Sequence, residues 1–408
     1  VIRREFDLAE GDAFNQVLIR RAQRRLEALD FFSRVQITTR PGSSPDRVIV
    51  VVQVEDKPTG ELGAGVGYST GGQNEGVNVE ASVSERNFLG RGQAIRVGVG
   101  GSASSRTYNL SFTEPYFLGY RVAATFGAYQ NRNDFGDYER ESTGGSVSFG
   151  LPLTDDLTAN VGYNYQRDLY TADGNDCTDL PADPDANCGA PGFVQNRIVS
   201  GQARVKSSIV YGLVYNTIED RNDPRDGLFV RVNQEVAGLG GDARFVRTTA
   251  DASYYVTLVE DAELVGLLRG GAGNVTGLGQ NVEGFDQFEI GPRRLRGFAY
   301  NGIGPRDAAG NFIGGKSYLN ATAEVQFPLP ALPRDLGFKG AVFADAATLF
   351  GSDVAGAQNT AMEWRASAGL SVIWQSPFAP LRFDYAWPLV KEAHDDEQNF
   401  SFSVSTAF

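Results

Sequence analysis

The sequence has few of the residues that usually build catalytic and metal sites. Its 408 residues include one histidine, one methionine and two cysteines. The histidine, His394, stands in a polar turn among Glu392, Asp395 and Asp396, where we interpret it as a solvated side chain. No GxSxG, HExxH or Walker pattern occurs. We therefore predict that the protein is not an enzyme and that it uses no metal and no cofactor.

Long apolar runs and an excess of positive charge are also missing. No run reaches the roughly 18–20 residues of a transmembrane helix, which excludes a helical membrane protein. A mean hydropathy of -0.26 is still compatible with a transmembrane β-barrel, because half of each strand faces a polar lumen. The net charge of -13 argues against nucleic acid as a partner.

The two cysteines, Cys177 and Cys188, lie close together in a polar segment. The tight CxxC spacing and the neighbouring histidine that would indicate a metal site are absent. We predict a disulfide between them in an oxidising compartment, with free thiols as the alternative.

Residues 1–58 differ in pattern from the rest of the chain. Apolar side chains recur at helical spacing across residues 14–29, and arginines occupy the other faces. Two strand-like runs follow at 35–38 and 47–55, joined by a turn rich in proline, glycine and serine. We predict a small α+β domain. Because the chain starts in mid-pattern, on Val1-Ile2-Arg3-Arg4-Glu5, we expect a fragment or a mature chain that lacks its start.

From residue 59 to residue 408 the sequence alternates between apolar and polar residues. Residues 318–327 and 399–408 show this period of two, which is typical of strands. About sixteen such strands follow at about one per 20–22 residues, as in outer-membrane barrels. We predict a mainly β fold, a 16-stranded antiparallel transmembrane β-barrel. A soluble β-sandwich is the alternative, but one of this size would need two domains and protection for its open edges.

The connections between these strands differ in length. Residues 71–74, 119–120 and 152–156 predict short turns, whereas segments near 169–196 and 275–316 are long and polar. Outer-membrane barrels have short turns at one end and long loops at the other. We therefore predict that the two long segments are extracellular loops.

The second long loop contains a stretch, residues 291–305, that is unusually rich in glycine, proline and arginine. Its apolar residues, among them Leu295 and Phe298, indicate that the loop folds back onto the protein. We predict that Arg296 holds it there, since a planar guanidinium suits carboxylates. Strand parity places Glu324 and Asp345 on the lumen side of neighbouring strands. The alternative is that the arginines of this stretch only solvate a surface loop.

The first barrel strand places glycine at alternate positions, and each glycine weakens a strand by about 0.5–1 kcal/mol relative to alanine. We predict a weak lateral seam between this strand and the last one. An open edge could offer its backbone groups to an incoming strand, and in lipid it could not stay unpaired. Simple crowding in a narrow barrel is the alternative. The predicted seam residues are Gly63, Ala64, Gly65, Val66, Gly67, Phe402, Val404 and Phe408.

The helix-strand-strand domain resembles a polypeptide-transport-associated (POTRA) domain. With a barrel after it and Leu295-Arg296-Gly297-Phe298 in the sixth loop, the chain resembles the BamA family of outer-membrane barrel assembly proteins. The family motif is [VI]RGF, and here it begins with leucine. Residues 87–92 and 114–119, Asn-Phe-Leu-Gly-Arg-Gly and Glu-Pro-Tyr-Phe-Leu-Gly, match the family as well.

The resemblance implies the central subunit of the machinery that folds and inserts β-barrel proteins in the Gram-negative outer membrane. It places the POTRA domain in the periplasm, brings Arg296 to Glu324 and Asp345, and makes Glu5 a contact for a lipoprotein subunit. The implied partners are unfolded outer-membrane proteins, lipoprotein subunits, the lipid bilayer and lipopolysaccharide.

Two other functions stay open on the sequence alone. A two-partner-type secretion translocator of the same superfamily would keep the fold and change the cargo, and it would carry a helix that plugs its lumen. A passive diffusion porin would have a conductive lumen and no periplasmic domain. Residues 1–58 argue against the porin.

Overall fold

The computed structural model shows a small N-terminal domain followed by a 16-stranded antiparallel sheet. None of the helices in the described part of the chain is long and apolar enough to cross a membrane. The structure describes residues 1–69, 76–173, 188–220, 223–329, 332–333, 336–376 and 380–404.

The N-terminal domain packs one helix on a two-stranded sheet. Asn15 caps the helix, since its Oδ1 accepts a hydrogen bond from Val17 N at 2.9 Å. The buried helix face contains Ile19, Ala22 and Leu26, which are part of the apolar pattern in the sequence. The elements are a 3-10 helix (Ile2–Glu5), α1 (Gln16–Ala28), β1 (Phe32–Pro41) and β2 (Val48–Asp56).

The large sheet confirms the predicted 16-stranded antiparallel barrel. Its strands follow chain order, except that two short strands in loops, β14 and β19, pair only with each other. The strands are β3 (Gly60–Ser69), β4 (Gly76–Phe88), β5 (Gln93–Gly101), β6 (Ser105–Glu114), β7 (Ala123–Asp134), β8 (Tyr138–Pro152), β9 (Leu157–Ala172), β10 (Arg204–Asn216), β11 (Gly227–Gly241), β12 (Phe245–Val259), β13 (Leu264–Gly277), β14 (Gly297–Phe298), β15 (Ser317–Pro328), β16 (Phe338–Phe350), β17 (Arg365–Gln375), β18 (Pro380–Val390), β19 (Glu397–Gln398) and β20 (Phe400–Val404).

Side chains alternate between lumen and exterior along these strands. On β15, Asn320, Thr322 and Glu324 are buried, while the residues between them are exposed. On β16, Asp345 is buried and Ala344 beside it is exposed. The period-two pattern of the sequence therefore identifies the lumen face correctly.

The loops differ in part from the expectation. The two long segments begin later than predicted, because β9 continues to Ala172 and β13 to Gly277. The first of them contains a helix, α2 (Gly192–Ser200), that the sequence pattern did not reveal. The sequence predicted short turns at one end of the barrel and long loops at the other. At the end that carries the two long loops, three connections are short: those between β5 and β6, between β7 and β8, and between β11 and β12. The predicted turn at 71–74 lies outside the described residues.

Candidate functional site

Residues 278–316, here called loop 6, fold back into the barrel. Ile290, Leu295, Phe298 and Ile303 are buried together and pack against Leu349 of β16. This apolar cluster holds the loop against the inner wall, so that its arginines are brought to the lumen face of the sheet.

Arg296 lies between two strands of that wall. Its Nε and Nη2 donate to the two carboxylate oxygens of Asp345 at 2.7 and 2.8 Å. Its Nη1 donates to Glu324 Oε2 at 2.8 Å, and its guanidinium lies 3.3 Å from the centre of the Phe343 ring. Both carboxylates are almost fully buried. The structure thus brings together the three residues that the sequence and the resemblance named.

A second arginine, which sequence reasoning did not include in the site, completes the network. Arg382 of β18 donates to Glu324 Oε2 at 2.6 Å and to Asp384 Oδ1 at 2.8 Å. Arg296 Nη1 lies 3.6 Å from Asp384 as well. Two cations therefore share three carboxylates, which lie on β15, β16 and β18, so that two positive charges face three negative ones. The polar face of β18 was the available signal, because Arg382 and Asp384 alternate with apolar residues there.

Gly297 is the position of the motif that only glycine suits. Its φ is +92°, and an added Cβ would lie 3.3 Å from Cβ of both Ala386 and Ser367. The backbone of the motif therefore lies directly on β17 and β18. It also pairs with β19, where Gly297 is opposite Gln398 and Phe298 is opposite Glu397.

Loop 6 has a second anchor on the opposite wall, formed by Arg204, Glu283 and Asp286. Arg204 at the start of β10 is buried and donates to Glu283 Oε2 at 2.7 Å and to Asp286. Arg197 of α2 adds a bond to Glu283 at 3.1 Å. The two limbs of the loop are thus held separately. Nothing in the sequence pattern pairs these residues, which meet only through the fold of two loops.

The predicted seam lies between β3 and β20. These are the two ends of the sheet, and no backbone ladder joins residues 60–69 to residues 400–404. Tyr68 and Phe402 are close, with ring centres 6.4 Å apart. Leu62 and Val66 are 86% and 77% exposed, and an added Cβ at Gly65 or Gly67 would have no neighbour within 4 Å.

The other predicted seam residues are placed as follows. Gly63 and Ala64 lie on β3 opposite Ser82 and Ala81 of β4. Val404 pairs with Leu381 of β18, and Phe408 lies outside the described residues. β3 is thus held on one side by β4, and its other side has no ladder within the described chain.

The side chain of Glu5 is only 4% exposed in this structure, and its predicted contact with a lipoprotein stays a prediction. Both of its carboxylate oxygens lie 3.0 Å from Tyr116 Oη, which donates to them from the turn between β6 and β7. Burial and the neighbouring Glu5 raise the pKa of Tyr116, so the hydroxyl remains a donor. Arg4 covers the Tyr116 ring at 4.3 Å and donates to Arg91 O at 3.1 Å. This cluster joins the N-terminal domain to the barrel.

Of the two cysteines in the predicted disulfide, only Cys188 lies in the part of the chain that the structure describes. Cys188 is buried beside Tyr170 and Ala190, and it is not a free thiol. Cys177 lies outside the described residues, so the pairing of the two stays a prediction.

His394 belongs to a structural cluster. Arg365 is buried and forms a two-bond pair with Asp395 at 2.9 and 3.0 Å, and His394 Nε2 lies 3.2 Å from Arg365 Nη2. Within the described ranges, no group of three or more His, Cys, Asp and Glu side chains is arranged to hold a metal ion.

Family models match both parts of the chain. The Omp85 superfamily domain matches residues 87–408. A POTRA model, described as a surface antigen variable number repeat, matches residues 1–57. The outer membrane protein assembly factor BamA of Neorickettsia risticii (strain Illinois) is 31% identical over 415 residues, which cover 100% of this chain and 53% of that protein. The chain spans about half the length of the curated relatives it matches.

Solved structures share the fold. BamA from Haemophilus ducreyi lacking POTRA domains 1–3 superposes with a TM-score of 0.81 at 24% identity, covering 98% of this chain and 80% of that one. CdiB from Acinetobacter baumannii superposes with a TM-score of 0.62 at 14% identity, covering 98% and 69%. The chain therefore belongs to the Omp85 superfamily of outer-membrane barrels, with a POTRA domain before its barrel.

Proposed function

We propose that this protein folds and inserts β-barrel proteins into the Gram-negative outer membrane, as the central subunit of the assembly machinery, with its POTRA domain in the periplasm. The observation that carries the proposal is the joint between β3 and β20. Every other neighbouring pair of barrel strands has a backbone ladder, and this pair has none among residues 60–69 and 400–404. The 31% identity to an assembly factor over the whole chain supports the same function.

The mechanism uses backbone groups in place of catalytic side chains. On the side away from β4, the N–H and C=O groups of β3 have no strand partner among the described residues, and in lipid such unpaired groups cost several kcal/mol each. An incoming strand that pairs with this edge removes that cost by β-augmentation. The substrate can thus fold against β3 one hairpin at a time, and no nucleotide, metal or covalent intermediate is required.

The proposed partners follow from the surfaces available. Unfolded outer-membrane proteins pair at the seam, and the bilayer with its lipopolysaccharide surrounds the exposed apolar residues of the strands. Lipoprotein subunits dock on the exposed surface of residues 1–58. In this proposal Glu5 acts indirectly, by holding that domain against the turn at Tyr116.

The two rival functions are less well supported. A secretion translocator would keep the same fold, so the fold does not favour it, whereas the 31% identity over the whole chain is to an assembly factor. A diffusion porin needs an open lumen, whereas here loop 6 is anchored inside the barrel by Arg296 and by Arg204. The POTRA domain also has no role in passive diffusion.

Reconstitution tests the proposal. Vesicles that contain the protein should accelerate insertion of a urea-unfolded test barrel well above empty vesicles, as measured by protease protection of the inserted product. Vesicles with a diffusion porin serve as the control for a generic barrel. Insertion no faster than in the porin vesicles would contradict the proposed function, and a large steady conductance in planar bilayers would favour the porin.

A further inference from the structure

The last strand is short at its outer end, where its neighbour continues without it. β18 runs to Val390, but β20 begins at Phe400, which is opposite Tyr385. The outer residues of β18, from Trp387 to Val390, therefore extend beyond the pairing with the last strand. The segment that would continue that ladder, residues 396–398, takes a different path.

Pro388 explains where the ladder stops. Ala386 N donates to Asn399 O at 2.8 Å, so alternate residues of β18 direct their N–H groups toward the last strand. The next residue in this series is Pro388, which has no N–H to donate. The alternating series of N–H donors on that edge of β18 therefore ends at Ala386, and residues 396–398 follow a path away from β18.

Loop 6 contacts residues 396–398. Ala299 N donates to Asp396 O at 2.9 Å, and Asp396 N donates to Gly302 O at 2.9 Å. The β14–β19 pair continues the contact through Glu397 and Gln398. The approach is close at Gly302, since an added Cβ would lie 2.5 Å from Asp396 O. The residues just after Arg296 therefore hold the residues just before β20.

An ion pair reinforces this contact. Arg306 Nη2 donates to Asp396 Oδ2 at 2.6 Å, and Arg306 is itself held in loop 6 through Gly310 O at 3.1 Å. Arg296 fixes loop 6 to the barrel wall. Because loop 6 is fixed, its contacts with Asp396 also fix the position of Asp396 relative to the wall.

We propose that loop 6 tethers the outer end of the last strand, with Arg306, Gly302 and Asp396 as positioning residues for β20, which faces β3 across the seam. Pro388 ends the ladder with β18 and makes residues 396–398 available to the tether. The functional part of this inference rests on the proposed function, while the tether itself is a property of the barrel alone.

Hydrogen–deuterium exchange of the peptide 399–404 tests the tether in the full chain without substrate. Asp396→Ala removes the ion pair and should speed exchange of this peptide about two- to fivefold. Gly302→Ala forces Asp396 away and disrupts two backbone bonds, and it should speed exchange about tenfold. If Gly302→Ala does not fold, Asp396→Ala decides the test.

Lys316→Ala is the matched control. Lys316 also joins loop 6 to another outer loop by one ion pair, with Asp353 at 2.7 Å, but it is not connected to residues 396–398. Exchange of peptide 399–404 should stay at the wild-type rate in this variant. A rise as large as in Asp396→Ala would overturn the tether, and so would unchanged exchange in both tether variants.

The insertion assay, combined with the exchange measurement, distinguishes failure of the tether from failure of the proposed function. Faster exchange together with an altered rate of test-barrel insertion supports both. Faster exchange with wild-type insertion leaves the tether standing and contradicts the role of the seam in the proposed function. Wild-type exchange overturns the tether whatever the insertion rate is.

Discussion

The wall formed by β15–β18 and the joint between β3 and β20 are built in opposite ways. In the wall, Arg296 and Arg382 pair with three buried carboxylates on β15, β16 and β18, and backbone ladders join β15 to β16, β16 to β17 and β17 to β18. At the joint, the last described strand has five residues, and glycines occupy alternate positions of the first.

The difference indicates how a barrel can open without unfolding. A buried ion pair is costly to break but contributes little to net stability when compared with an apolar equivalent. Its value here is positional, since it fixes loop 6 to one wall. Under the proposed function, the joint between β3 and β20, which has no ladder among the described residues, separates while the remaining strands keep their register. The predictions below test this contrast, beginning with the largest expected effect.

Removing the guanidinium should weaken the wall most. Arg296→Ala leaves Asp345 buried with no cation beside it in the described chain, and loss of one partner of a buried pair costs about 3–5 kcal/mol. We expect a lower midpoint in thermal unfolding followed by circular dichroism in detergent. Arg293→Ala, an exposed arginine of the same loop, is the control. Equal midpoints in the two variants would show that Arg296 does not brace the wall.

Gly297→Ala should have the next largest effect. The φ of +92° costs a residue with a Cβ about 1–2 kcal/mol, and crowding against Ser367 and Ala386 adds to it. Gly310→Ala has a similar φ of +90° but no atom within 4 Å of the new Cβ. The same unfolding measurement should therefore give a larger loss for Gly297→Ala. A loss no larger than in Gly310→Ala would mean that the close approach to β17 and β18 has no energetic role.

Strengthening the joint should have a smaller effect, in the opposite direction. Gly65→Ala favours the strand conformation of β3 by about 0.5–1 kcal/mol and meets no neighbour within 4 Å. We expect slower hydrogen exchange in β3 and about two- to fivefold slower insertion of a test barrel. Gly145→Ala on β8, where the new Cβ would lie 3.5 Å from Gly127 O, is the control. If Gly65→Ala and Gly145→Ala insert the test barrel at equal rates, the glycines of β3 have no specific role in insertion.

The smallest effect concerns the POTRA domain. Asp30 accepts hydrogen bonds from Lys57 and from Arg86 of β4, and these bonds lower its pKa from the ordinary 3.8. A lowered pKa means that the contact is complete above 3.8 and is lost as the pH falls through the lower value.

Spin-label distances between residues 1–58 and the barrel should therefore broaden when the pH falls from 7 to well below the ordinary pKa of 3.8. Asp30→Asn should broaden them at both values. Asp46 is the control, because its pKa is also lowered but by Ser44 within its own turn. Broadening in Asp46→Asn as large as in Asp30→Asn would remove the assigned contact.

The sequence predicts the barrel and its lumen face well, because period two is a local property of each strand. Glu324 and Asp345 follow from parity together with the family resemblance. Arg382 and Asp384 have the same parity, but their register against loop 6 is set by pairing over distant strands. Arg204 meets Glu283 through two folded loops, and no local pattern encodes that.

The surroundings of Glu5 could not be predicted from the sequence. Its partner, Tyr116, is separated from it by 111 positions, and its burial depends on how the domain lies against the barrel. A motif residue expected at a surface is therefore found inside a junction. The role of Pro388 also depends on tertiary structure. Its missing N–H has an effect only because it lies on the edge of β18 that faces β20.

A crosslink across the joint tests the central claim most directly. Tyr68→Cys and Phe402→Cys replace rings whose centres are 6.4 Å apart, and a short thiol crosslinker would join β3 to β20. A matched pair at Ala323 and Ala344, register partners inside the wall, is the control. The account predicts that the 68–402 crosslink abolishes insertion of a test barrel, that reversal restores it, and that the wall crosslink has no effect. Full insertion with the 68–402 crosslink formed would contradict it.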